Sequence, residues 1–176
     1  ADDNASGVSG VLLLAEELQQ ALEGRTQPRR TILFLTFSGE ESGRFGSLHY
    51  LEHPLFPMAQ HRLMINLDMI GRLKSGKVSV YGAREHAWLM EMMTRHAEAS
   101  PLDVRLVRTP IAGSDHVGFE NAGVPVLFAI IAALHDDYHT VKDQSWKICH
   151  VNAAALIDMF RAVVLEAATA SRLTDP

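Results

Sequence analysis

Apolar side chains near the start of the chain recur at helical spacing: Val8, Val11, Leu12, Ala15, Leu18 and Leu22. Residues three and four apart share one face of an α-helix, so this spacing predicts a helix with one buried stripe, stopped by Gly24. From Thr31 to Phe37 the pattern changes to an apolar run of strand length, which reads as a strand buried on both faces of a sheet. A short helix is expected over Ser47–Glu52, ending before Pro54, and strands follow at about His61–Asp68 and Val78–Tyr81. A helix from Arg84 to Ala99 is closed by Pro101, and Trp88, Met92, Met93 and His96 on it read as core and surface positions. The remaining elements are a strand Val104–Arg108, a short helix Asp115–Asn121 with Ser114 as its cap, a strand Val124–Ile131 and a terminal helix Val151–Ala170. Helices and strands that alternate in this way predict an α/β fold. Its form is a three-layer αβα arrangement, with a mostly parallel or mixed sheet covered by helices on both faces.

Composition adds little to this picture. At 176 residues and 47% hydrophobic, the chain has the size of one domain and enough apolar material for a substantial core. With 16 basic and 21 acidic residues and a net charge of -5, it lacks the electrostatic footprint of a nucleic-acid binder. Arg25, Arg29 and Arg30 form a small basic cluster that a solvated turn before a strand explains. The one cysteine, Cys149, excludes an internal disulfide and leaves the compartment open. No apolar run reaches the roughly 20 residues of a membrane span.

Chemistry enters with Glu40 and Glu41, which are adjacent and directly follow the run Thr31–Phe37. They fall at the C-terminal end of an expected strand, where open α/β sheets place their ligands. Two like charges at such an edge call for a compensating cation or proton. A hydrolytic metal site needs one carboxylate as ligand and one as proton carrier, and this pair can supply both; a solvated loop with two unrelated glutamates is the alternative. Asp68 ends a second apolar run, where burial is costly without a partner or a metal. Asp3 precedes the first helix, as a ligand or as a helix cap. His139 lies in the loop after the strand Val124–Ile131. Asp3, Glu41, Asp68 and His139 thus come from four separate elements whose ends meet at one edge.

Five segments carry a resemblance to a known family. They are Asp3-Asn4-x-Ser6-Gly7, Glu40-Glu41-x-Gly43-x-x-Gly46-Ser47, Asn66-x-Asp68-Met69-Ile70-Gly71, Ser114-Asp115-His116 and Tyr138-His139-Thr140. In this order they resemble the successive signatures of the di-zinc aminopeptidases, metallopeptidase family twenty-eight. That superfamily also holds glutamate-carboxypeptidase-like enzymes and glutaminyl cyclases. The resemblance implies a zinc-exopeptidase-like fold and a peptide substrate cleaved at its amino-terminal bond. It implies Asp3 as the carboxylate bridging two zinc ions, Glu41 and His139 completing one metal, and Asp68 binding the other. Glu40 would be the general base, and Tyr138 would hold the oxyanion; from the residues alone Tyr138 serves equally as a packing ring. The family has a further histidine ligand upstream of the bridging aspartate, which this chain, starting at Ala1, does not contain. The chain is therefore read as a single catalytic domain, 1–176, truncated at its N-terminus. One zinc or none is expected in it, against two in the intact enzyme, and the chain is expected to be inactive alone. An extracellular or periplasmic location is implied by the same resemblance.

Ser114-Asp115-His116 does not make a serine-hydrolase triad, because neighbours on one short turn point in different directions. Asp115 and His116 read as residues that orient ligands or simply fix a turn. Asp136 and Asp137 either orient His139 or are solvated. The segments Thr109–Gly113 and Ala132–Asp137 are mainly apolar, with Pro110, Ile111, Ala112, Ala132, Ala133 and Leu134, which suggests hydrophobic amino-terminal residues as substrates. Two other classes remain open: a glutaminyl-cyclase-like acyltransferase with one zinc, and a non-catalytic interaction domain.

Overall fold

Four strands form one mixed sheet in the computed structural model, which describes residues 1–82, 86–109 and 111–173. They are β1 (Met64–Leu67), β2 (Lys77–Gly82), β3 (Asp103–Val107) and β4 (Val126–Ile131), in the spatial order β1-β4-β2-β3. β1 runs parallel to β4 and β2 parallel to β3, whereas β2 and β4 are antiparallel. The helices are α1 (Gly7–Leu22), α2 (Phe45–Glu52), α3 (Ala87–Ala99), α4 (His116–Asn121) and α5 (His150–Thr169).

The period of two along β4 sorts the layers. Leu127, Ala129 and Ile131 join Leu14 and Leu18 of α1, Leu89 and Met93 of α3, and Leu156 and Phe160 of α5 in one core. Val126 and Phe128 point the other way, to Tyr50 of α2 and Phe119 of α4. Both faces of β4 are therefore covered, which is why its sequence is apolar throughout rather than alternating. The three-layer αβα arrangement expected from the sequence is present, with a mixed sheet.

The expected strand Thr31–Phe37 is not formed. These residues belong to no sheet, and among the described residues none of their backbone groups takes part in a backbone hydrogen bond. The segment is held by the packing of Ile32 on one core and of Leu33, Leu35 and Phe37 on the other, and by hydrogen bonds at its ends. Arg30 donates its amide to Ala168 O at 2.9 Å and its guanidinium to Ala167 O and Ala170 O, closing the C-terminus of α5. After the run, Ser38 O accepts the amide of Gly46 at 2.8 Å. Between the run and β1 lies a cavity of about 800 Å³, lined by Thr31–Phe37, by Met64–Leu67 and by Val11 and Leu14 of α1. An apolar run of the right length becomes a strand only where a neighbour offers donors and acceptors, and across this gap none is in reach.

Other boundaries shift by a few residues, as helix and strand ends do. β1 is confined to Met64–Leu67, and α2 begins at Phe45. The expected start of α3 at Arg84 lies outside the described residues. α3 stops at Ala99, and Ser100 is extended (φ -82°, ψ 147°), as the residue before a proline is constrained to be. Ser114 does not cap α4: its hydroxyl is used on Asp68.

Candidate metal centre

The site is assembled by three turns at the edge of the sheet. The first is Asp2–Ser6, where Asp3 (φ -96°, ψ 107°) and Asn4 (φ -121°, ψ 40°) leave helical geometry before α1 begins. This turn clasps the turn that follows β1. Asn4 Nδ2 donates to Leu67 O at 3.1 Å, and Asn4 Oδ1 accepts the amide of Met69 at 3.1 Å. Ser6 Oγ accepts from Ile70 N at 3.0 Å, and buried Asp2 Oδ1 accepts from Gly71 N at 2.6 Å. The approach is so close that a Cβ on Gly7 would sit 2.1 Å from Leu67 O. The polar residues of the first motif thus do local work, satisfying the backbone of the β1 turn and setting Asp3 beside Asp68.

The second turn carries the glutamates. Glu40 O accepts the amides of Gly43 and Arg44 at 3.0 and 2.8 Å, and α2 packs so tightly on residue 38 that a Cβ on Gly46 would meet Ser38 N at 2.6 Å. The third is the loop after β4, with bonds from Tyr138 N to His135 O and from Thr140 N to Asp137 O, both 3.0 Å. His139 adopts a left-handed backbone, φ 56°, and its ring stacks on Tyr138 with centroids 3.7 Å apart.

These turns bring together Asp3, Glu41 and His139. His139 Nε2 lies 3.2 Å from Asp3 Oδ2 and 2.7 Å from Glu41 Oε1, and one ligand atom from each of the three falls within 4.8 Å of the others. Asp68 stands outside this trio. It accepts a hydrogen bond from Ser114 Oγ at 2.7 Å, and Ser114 in turn accepts one from Asn66 Nδ2 at 2.7 Å. Glu40, Glu41, Asp3, Asp68 and Asp115 all open onto the end of the cavity between β1 and residues 31–37.

The crowding of carboxylates shows in their acidities. Burial raises Asp68 to about 6, Ser114 partly offsetting this and Asp3, Asp115 and Glu41 adding to it. Asp3 is raised by burial and then by Glu41, and Glu40 by burial and then by Glu41. The Tyr138 hydroxyl is raised by burial and by the four carboxylates near it. Negative charge in excess of its partners is what a cation would relieve. The donor set also fits: one imidazole and two carboxylates are a zinc-type ligand set, and three protein ligands leave a coordination position open.

Residues that the sequence patterns did not single out support this arrangement. Arg72 donates to Asp137 Oδ2 at 2.6 Å and to Asp143 Oδ1 at 2.5 Å. Asp143 Oδ2 accepts the amide of Asp3 at 3.0 Å and the amino terminus at 2.5 Å. Lys147 adds a second cation on Asp137, at 2.6 Å, so Asp137 is pushed down to about 2 by Lys147 and then Arg72. Asp137 is thus neither free nor a partner of His139. No local signal marks Arg72 or Asp143, because their partners lie far away in sequence. Ser114 was visible, but as a helix cap. His116 is buried, stacked on Phe128 and bonded to Ile111 O at 2.8 Å, which is a structural placement.

A mixed αβα sheet with a carboxylate–imidazole cluster at one edge defines an α/β protein with a candidate metal centre. The chain belongs to peptidase family M28, whose model matches residues 1–165. It is 29% identical to aminopeptidase YwaD of Bacillus subtilis, over 95% of this chain and 37% of that protein. Among solved structures it is similar to BSAP, a zinc aminopeptidase from Bacillus subtilis, with a TM-score of 0.81 and 26% identity over 99% of this chain and 45% of that one. An aminopeptidase from Aneurinibacillus sp. strain AM-1 gives a TM-score of 0.79 at 26% identity, over 99% and 41%. The chain therefore spans less than half the length of these relatives.

Proposed function

We propose that this chain carries the metal-binding face of a zinc-dependent aminopeptidase that hydrolyses the amino-terminal peptide bond of a peptide. The observation that carries the reading is the convergence of Asp3 and Glu41 on His139 Nε2 at 3.2 and 2.7 Å. Relatives that are aminopeptidases support the reaction class.

Asp3, Glu41 and His139 would hold one zinc ion, and Asp68, with Asp3 shared, would serve a second, weaker position. Zinc held there supplies an acidified water and a polarised scissile carbonyl. Glu40 is next to a ligand yet outside the trio, and its raised pKa, which makes it a better proton acceptor, suits a group that takes a proton from water and returns it to the leaving amine. Tyr138, stacked on His139, would donate its hydroxyl to the oxyanion, for which a raised pKa keeps the proton in place. Ile111 and the exposed Leu134 would favour an apolar first side chain, whereas Pro110 lies outside the described residues.

The test is zinc titration of the purified, chelator-stripped chain against a competing indicator. One equivalent should bind, and Glu41→Gln and His139→Gln should each weaken it by at least about tenfold. Equal affinity in the parent and both variants would sink the assignment.

A further inference from the structure

The loop bearing Tyr138 and His139 is anchored at two points, Asp137 and Asp143, and one side chain reaches both. Arg72 follows the turn after Asp68. One of its terminal nitrogens meets Asp137, one residue before Tyr138, and the other meets Asp143, four residues after His139. The three side chains are largely shielded, with relative exposures of 10% for Arg72, 18% for Asp137 and 7% for Asp143. Shielding separates this pairing from a surface salt bridge, which contributes little. The second oxygen of Asp143 accepts the amide of Asp3, so the clamp also reaches the backbone of another ligand.

We propose that Arg72 is the positioning residue of this centre: its guanidinium holds both ends of the 137–143 loop and, through Asp143, the Asp3 turn, so that three ligand-bearing segments keep one geometry. The inference rests on the zinc reading above. Its logic is the planar fork of arginine, which presents two donor directions at fixed angles. Lysine in its place offers a compact point charge without that fixed, two-directional fork. The strained left-handed backbone of His139 adds to the need, since such a conformation persists only where its surroundings hold it. Lys147 shares Asp137 but makes no contact with Asp143, so it cannot substitute for the link.

The test compares Arg72→Met, Arg72→Lys and the remote control Arg95→Met, whose parent side chain pairs with Glu91 and Glu166 on the far helices. Two quantities are read: zinc affinity, and amide hydrogen exchange of residues 138–142 in the metal-free protein. Arg72→Met should weaken zinc by about tenfold or more and speed exchange across the loop, Arg72→Lys should fall between it and the parent, and Arg95→Met should change neither. Wild-type zinc affinity in Arg72→Met, or unchanged loop exchange, would overturn the clamp. A parent that binds no zinc would defeat the function proposed above, while the exchange comparison still decides the clamp. If Arg72→Met does not fold, the single-arm variants Asp137→Asn and Asp143→Asn replace it. Each should loosen the loop at its own end, and rigid loops in both would overturn the proposal.

Discussion

At the scale of single residues, Glu40 and Glu41 are neighbours with opposite assignments. Glu41 Oε1 is in contact with His139, whereas Glu40 belongs to the cavity wall and has no place in the three-residue cluster. Glu40→Gln is accordingly expected to keep the zinc affinity of the parent and to lose 10²- to 10⁴-fold in turnover, by order of magnitude, in any active form of the enzyme, assayed on leucine p-nitroanilide. Normal turnover would reassign the base. Asp68 supports a second expectation, on stability. Its carboxyl titrates near 3.8 when unfolded and at about 6 when folded without metal. Between these values the folded state holds more protons, so stability falls as pH rises through the window, and the full cost persists above it. Two pKa units correspond to about 3 kcal/mol, and partial exposure reduces the figure. Asp68→Asn should therefore stabilise the metal-free protein by about 1–2 kcal/mol near pH 7.5 and by clearly less near pH 4.5, measured by urea unfolding with chelator present. A loss of stability at both pH values would show that the carboxylate is held favourably in its ionised form.

At the scale of elements, Gly7, Gly46 and Gly71 of the motifs owe their place to close contact, and Gly43 to its left-handed backbone, φ 118°. A methyl on Gly7 would meet the carbonyl of Leu67 at 2.1 Å, and neither backbone can yield without opening the contact between the Asp2–Ser6 turn and β1. Gly7→Ala should cost about 2–4 kcal/mol by chemical denaturation and lower zinc affinity as well, because Asp3 sits on that turn. A neutral Gly7→Ala would mean that the two turns are not packed as described. The segment 31–37 shows where the sequence could not be read. Its residues have the composition and length of a buried strand, yet strand formation depends on what lies alongside, and that is not written in the run itself. The helices α1, α3 and α5 were legible because their apolar stripes recur within one element. Ser114 was misread for the same reason as 31–37: a serine before a helix has a local use, and its actual partner, Asp68, is 46 residues away. Glu40, Glu41 and Asp68 were visible because a polar group at the end of an apolar run stands out against its neighbours, whereas Asp3 and His139 drew attention only by their places before the first helix and in the loop after a strand. Arg72 and Asp143 were not, since an arginine or aspartate in a turn is ordinary until the fold shows what it meets.

At the scale of the whole molecule, the three clustered groups belong to residues 3, 41 and 139, so a bound cation would cross-link the start of the chain, the turn before α2 and the loop after β4. An ion that binds only this assembled geometry must stabilise it by mass action. At a free zinc concentration of about 100 times Kd the gain is about 2.7 kcal/mol, which is reversed by chelator. The same addition should slow hydrogen exchange in the three turns together, since each contributes a ligand. It should leave residues 31–37 exchanging rapidly, because their amides make no backbone hydrogen bond among the described residues and the ion gives them none. At the same zinc concentration His139→Gln should lose about half of the stabilisation or more, and the coordinated slowing should weaken with it. Stabilisation of the parent without slowing at all three turns would place the ion elsewhere. Slowing within residues 31–37 would mean instead that metal closes the cavity beside β1, turning an unpaired run into part of the sheet.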